Sequence, residues 1–208
     1  MVNVLVTGGA GFIGSHMVDY LISKDYSVRV LDNLVTGKNI NLIQHKNNEK
    51  LIIDERDIRD VDFSDNIYKE LDYIFHFAGI GDIVPSIDNP VEYMSVNTQG
   101  TVKVCEGARH NNIKKLVYAA SSSCYGLAKV PTDENAKISV QYPYALSKYL
   151  GECSVMHWHK VYNLPVNVIR IFNAFGTRSK TEGTYGAVFG VFLKQKLSNK
   201  SFTVVGNG

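Results

Sequence analysis

The chain has 208 residues, enough for one domain with a substantial core and the beginning of a second, but not for two full domains. Its 45% hydrophobic and 20% charged residues belong to an ordinary globular protein and exclude a disordered or fibrous one. A net charge of +2 without any block of Lys or Arg argues against nucleic acid or an anionic membrane surface as a partner, and no apolar run approaches the length of a bilayer span.

The chain opens on a strand-like run, NVLVT at 3–7, and no charged segment followed by an apolar one precedes it, so no signal peptide is expected. The run leads into Gly8, Gly11 and Gly14 and then an amphipathic stretch over 12–23. A glycine pattern alone is a weak signal. Here it sits between a strand and a helix, where bare backbone can approach a pyrophosphate at the positive end of the helix. Asp32 ends the next strand, SVRVLD at 27–32, eighteen residues after Gly14. That is close to the separation at which an acidic residue meets an adenosine ribose. The combination predicts a dinucleotide site, and the charge of Asp32 favours NAD over NADP, with Lys38 as the counter-indication.

Further strands are expected at KLIID (50–54), YIFHFA (73–78), KLVYAA (115–120) and VNVIRIF (166–172), with helices over 88–110 and 143–162. Alternation of strand and helix predicts an α/β fold, a Rossmann-like doubly wound parallel sheet with helices on both faces. The strands read as apolar on both faces, as buried parallel strands do. HKNNEK (45–50) and LAKVPTDENAK (127–137) read as polar, turn-rich insertions, the second just past a strand end, where open α/β sheets bind ligands.

Tyr-x-x-x-Lys places an ammonium one helical turn from a phenol and lowers the phenol pKa. With 12 Tyr and 16 Lys in 208 residues, roughly one match arises by chance. The sequence contains three: Tyr20/Lys24, Tyr125/Lys129 and Tyr144/Lys148. Spacing does not separate them, but only YPYALSKYLGE (142–152) opens a helix after the loop that follows the fifth strand. Tyr144 and Lys148 are therefore expected at the nicotinamide end, with hydroxyls from AASSSCYG (119–126) in the same crevice.

Cys105, Cys124 and Cys153 lie far apart, without metal-ligand spacing, which fits a reduced, cytoplasmic compartment. Cys124 has no base placed to activate it. His157 and His159, two apart on a helix, point in different directions, so no metal is expected. His76, at a strand end, reads as a packing or hydrogen-bonding residue.

The motifs TGGAGFIGSH, LDN (31–33), DIRD (57–60), HFAG (76–79), VNTQGT (96–101), SSSCYG, YALSK and RIFNAFG (170–176) together resemble the NAD-dependent epimerase/dehydratase family of extended short-chain dehydrogenases, especially its UDP-glucose 4-epimerase type. The resemblance implies that Phe12 and Ile13 offer amides to the pyrophosphate, Asp32 and Asn33 hold the ribose, and Asp57 with Ile58 contacts adenine. It implies that Phe77, Ala78, Gly79 and Asn97 line the cofactor, with Phe172 near the nicotinamide. Ser121, Tyr144 and Lys148 take the catalytic positions, Ser121 to Ser123 and Tyr144 the sugar side, and Asn173 the sugar-nucleotide pyrophosphate.

Dehydratases of the family usually carry an Asp-Glu pair where this chain has Ser122 and Ser123, and a hydroxyl cannot replace a carboxyl group as an acid near neutral pH. The expected activity is therefore reversible oxidation at C4 of a UDP-hexose such as UDP-glucose or UDP-N-acetylglucosamine, through a 4-keto sugar. An inactive or incomplete NAD-binding module is the competing reading, and a sugar-nucleotide oxidoreductase or dehydratase a third. The expected division is an NAD-binding domain over 1–172 and the start of an incomplete substrate-binding region over 173–208. The helices over 88–110 and 143–162 resemble the family's dimer-forming pair, so a homodimer is an open expectation.

Overall fold

A computed structural model describes residues 1–181 and 188–204. Six strands form one sheet in the order β3-β2-β1-β4-β5-β6: β1 (Asn3–Thr7), β2 (Ser27–Leu31), β3 (Leu51–Asp54), β4 (Tyr73–His76), β5 (Lys115–Ser121) and β6 (Val166–Ile171). Every pairing is parallel. The order reverses between β1 and β4, and a crevice opens beyond the carboxyl ends of such neighbours. Residues two apart on β1 share a face: Val4 and Val6 pack with Val18 and Leu21 of α1 (Phe12–Ser23). Leu5 between them faces the other side, with Val104, Cys105 and Val155.

The helix expected over 88–110 is broken. Asn89 adopts φ −132°, ψ 61° ahead of Pro90, whose ring disfavours helical geometry in the residue before it. It separates α2 (Ile83–Asp88) from α3 (Pro90–Met94), and α3 runs through a π turn at Ser95–Gly100 into α4 (Thr101–His110). No hydrophobic period marks the π turn. The helix expected over 143–162 forms α5 (Pro143–Tyr162): Pro143 opens it, and Asn163, left-handed at φ 55°, ends it.

The edge strands depart from the expectation of burial on both faces. Ile52 on β3 is 57% exposed and Ile169 on β6 is 50% exposed, because each edge lacks a neighbouring strand on one side.

The chain divides into two compact units, Met1–Phe172 and Asn173–Gly208. The sheet lies wholly in the first. In the second, α6 (Val188–Leu197) packs Phe189 against Phe175 and Phe192 against Phe202, and Gln195 bonds Thr203 through both its amide groups.

Tyr68 is fully buried under α4, and a methyl group on Gly107 would lie 2.4 Å from its ring. Gly107→Ala is expected to destabilise the protein by about 1–3 kcal/mol through overpacking, seen as a lower midpoint in urea at unchanged slope.

Candidate active site

The glycine turn is built by close approach. A Cβ on Gly14 would lie 2.1 Å from the Gly8 carbonyl oxygen, and one on Gly8, whose φ is +69°, would lie 2.6 Å from the Ala78 nitrogen. Gly11 is the N-cap of α1 and brings no side chain to cap it, so the first-turn amides of Phe12 and Ile13 belong to a helix end suited to an anion. The buried Asp32 carboxylate accepts N–H bonds from Ala10 (2.8 Å) and Leu34 (2.9 Å), which brace it between the turn and the following loop.

Asn33 is exposed and donates its amide to Asp57 at 2.8 Å. The Asp57 carboxylate also accepts from the Arg59 backbone N–H at 2.8 Å and from its guanidinium Nε at 3.0 Å and Nη2 at 2.8 Å. The guanidinium of Arg59 is the main reason the Asp57 carboxyl titrates below the usual range. Ile58 is buried, against the end of the π turn at Gly100.

At the other end, Tyr144 donates its hydroxyl to Ser121 Oγ at 3.3 Å. Ser121 Oγ lies 2.7 Å from Ser123 Oγ and accepts the Ser123 N–H at 3.2 Å. Ser122 is half-buried beside them in the same turn. Tyr93 packs edge-on against the Tyr144 ring at 6.3 Å between centroids. Lys148, one turn along α5, is only 7% exposed, and its Nζ lies 4.5 Å from the centre of the Tyr118 ring. Burial pushes its ammonium down to about 7.

The other two Tyr/Lys pairs lie elsewhere. Lys24 rests 5.3 Å from the exposed Tyr20 ring on α1, and the Tyr125 hydroxyl accepts from Arg170 at 2.7 Å.

Phe77, Ala78 and Gly79 follow β4, half-buried at the switch point. Asn97 is fully buried. Its Nδ2 donates to the Ile80 carbonyl at 2.9 Å and to Ser147 Oγ at 3.0 Å, and its Oδ1 accepts the Ile80 N–H at 2.9 Å. Those bonds commit the amide to holding the loop after β4 against α5. Phe172 is 59% exposed and stacks near Tyr125 at 6.3 Å. Asn173 begins the second unit.

Sequence reasoning did not anticipate a relay of hydrogen bonds beneath the site. The Ala78 N–H donates to Thr7 Oγ1 at 3.3 Å, and the Thr7 hydroxyl meets His76 Nδ1 at 2.6 Å. His76 Nε2 lies 3.0 Å from Thr101 Oγ1, whose own proton goes to the Asn97 carbonyl at 2.7 Å. That last bond fixes the directions: Nε2 carries the proton and Nδ1 accepts. Burial holds His76 neutral, with its pKa lowered to about 3. The Arg170 guanidinium, paired with Glu152 at 2.6 Å, also donates to the Glu134 carbonyl at 3.1 Å and ties the 127–137 insertion to β6.

The sequence profile of the NAD dependent epimerase/dehydratase family matches residues 4–208. The chain belongs to this family. It is 38% identical to a protein of Methanocaldococcus jannaschii described as a putative UDP-glucose 4-epimerase, over 99% of this chain and 66% of the relative. The structure of a UDP-N-acetylglucosamine 4-epimerase from Methanobrevibacter ruminantium M1 superposes with a TM-score of 0.95 at 37% identity, covering 100% of this chain and 66% of that one. The dTDP-glucose 4,6-dehydratase DesIV of Streptomyces venezuelae, solved with NAD bound, follows at a TM-score of 0.90 and 28% identity, again over 100% and 66%. The chain thus spans just under two thirds of the length of these proteins. Among the described residues, no helix is long and apolar enough to cross a membrane.

Lys148 has a pKa near 7 when folded, against 10.5 as its ordinary value. In that window the unfolded chain holds a proton that the folded one has released, so raising pH favours folding. Lys148→Met is expected to melt higher than wild type at pH 7 without ligand, and the gap should shrink toward pH 10 as the penalty disappears. Melting both proteins across this range tests it: a gap independent of pH would contradict the burial effect.

Proposed function

We propose that the protein is an NAD-dependent sugar-nucleotide 4-epimerase acting on a UDP-hexose. The observation that carries this reading is the contact of Tyr144 with Ser121 at 3.3 Å, with Lys148 buried one turn away, at the carboxyl end of β5. The cradle fits NAD: bare backbone and an uncapped helix start at the glycine turn for the pyrophosphate, a braced carboxylate at Asp32 with Asn33 for the ribose, and Asp57 with Ile58 for adenine. Phe77, Ala78 and Gly79 take the wall beside β4, Phe172 the nicotinamide side, and Asn173 the substrate pyrophosphate.

NAD, when bound, supplies the reversible two-electron chemistry at C4. Tyr144 removes the C4 hydroxyl proton as the carbonyl forms and returns it after the 4-keto sugar has presented its other face. Lys148, in its protonated form, favours the phenolate by bringing positive charge to the same end of the site. Ser121 orients the sugar oxygen, and Ser122 and Ser123 line its approach. Their side chains offer no carboxyl group to eliminate water, which separates this site from dehydration chemistry although a dehydratase is among the similar structures. Leu146 and Leu150, exposed one turn apart on α5, support a homodimer through that face.

Incubating the purified protein with NAD and UDP-glucose or UDP-N-acetylglucosamine, and following C4 configuration by proton NMR, tests the reading. Inversion is expected, falling by about 10²–10⁴-fold in Tyr144→Phe. Saturable NAD binding without inversion would favour a cofactor-binding module, and net accumulation of NADH would favour an oxidoreductase.

A further inference from the structure

Arg59 of the DIRD segment bonds on two sides. Its Nε and Nη2 grip the Asp57 carboxylate at 3.0 and 2.8 Å. Its Nη1 donates to Glu92 Oε2 at 2.9 Å on α3 and to Ser95 Oγ at 3.1 Å at the start of the π turn. The next residue back, Ile58, packs so closely over the end of the same turn that a Cβ on Gly100 would lie 2.5 Å from its Cδ1. Two adjacent side chains therefore dock the loop after β3 onto both ends of the π turn. That turn also grips the catalytic helix: Asn97 Nδ2 donates to Ser147 Oγ at 3.0 Å and Thr98 Oγ1 donates to the Ser147 carbonyl at 3.0 Å.

We infer that Arg59 is a positioning residue for the adenine end of the cofactor site, clamping the Asp57–Ile58 step to the π turn. The inference rests on the proposed NAD site and adds to it a residue that touches no cofactor. Arg59 works through geometry that a flexible ammonium does not reproduce: three of its nitrogens bond at once, two to Asp57 and one to the helix. Asn33, the remaining side-chain donor to Asp57, cannot hold the loop to the helix, since both of its partners, Asp57 and the Val35 N–H, lie outside it.

Calorimetric titration of NAD and of ADP-ribose into wild type, Arg59→Met, Arg59→Lys and Glu92→Gln tests this, with melting curves recorded without ligand. Arg59→Met is expected to weaken both ligands at least tenfold. Arg59→Lys should recover part of that loss, and Glu92→Gln, which keeps the Asp57 grip but loosens the tether, should cost about threefold. If Arg59→Met does not fold, Arg59→Lys and Glu92→Gln still decide. Wild-type affinity in the folded variants would overturn the inference, and so would losses that track the fall in melting temperature alone. Absence of NAD binding by the wild-type protein would overturn the proposed function, and this inference with it.

Discussion

Three stretches of backbone meet at the switch point of the sheet with no room for one more carbon. The end of β1 at Gly8, the first turn of α1 at Gly14 and the chain leaving β4 at Ala78 approach so closely that a Cβ on either glycine would overlap main-chain atoms of its neighbour. This contact fixes where α1 points relative to the sheet. It also sets which chain segments flank the turn: the one leaving β4 at Ala78 on one side, and the one after β2, held to Ala10 through Asp32, Lys38 and Asn41, on the other. Everything proposed for the pyrophosphate follows from that packing, since the amides at the helix start face outward only if the turn beneath them is this tight.

Beneath the crevice the core is polar where a sheet protein is usually apolar. Thr7, His76, Thr101 and Asn97 are all fully buried, and each hydrogen bond among them has a defined direction. A buried network of this kind is stabilising only when every group is satisfied. Neutral His76 makes that possible, because one ring nitrogen accepts from β1's Thr7 while the other donates toward α4. The π turn contributes the last link by aiming the Asn97 side chain at Ile80 and Ser147 while the Asn97 carbonyl accepts from Thr101. Widened helical turns of this type recur at functional sites.

The six strands, their parallel arrangement and α5 were legible because short apolar runs alternating with long amphipathic ones leave few alternative folds. The break at Asn89 was present in the sequence as Asn-Pro within a segment read as one helix. The π turn was not legible, since one extra residue in a turn leaves no mark in hydrophobic spacing. Asn97 was found through a motif, but the motif gave no indication that its amide would be consumed by Ile80 and Ser147. His76 and Arg59 were visible as residues, yet the partners of His76 lie 25 and 69 positions away and those that tie Arg59 to α3 and the π turn lie 33 and 36 away, beyond the reach of any local pattern. Edge exposure of Ile52 and Ile169 depends on strand order, which periodicity does not carry.

Charge is segregated along the crevice, and the segregation bears on the chemistry. At the proposed adenine end, Asp57 is matched by Arg59, and Arg59 by Glu92, so acid and base cancel locally. At the proposed reacting end the side-chain groups within hydrogen-bonding reach of Ser121 are hydroxyls, those of Tyr144 and Ser123, beside the Ser123 N–H that its oxygen accepts. A carboxylate in place of Ser123 would sit within reach of Ser121 and accept its proton, turning that hydroxyl away from Tyr144 and from any substrate oxygen between them. A serine there can donate or accept, so Ser121 remains free to change direction as a proton moves to and from Tyr144. An epimerase needs that reversal twice in each turnover, once for each face of the sugar. Elimination of water requires instead an acid and a base of fixed identity, and this turn provides neither.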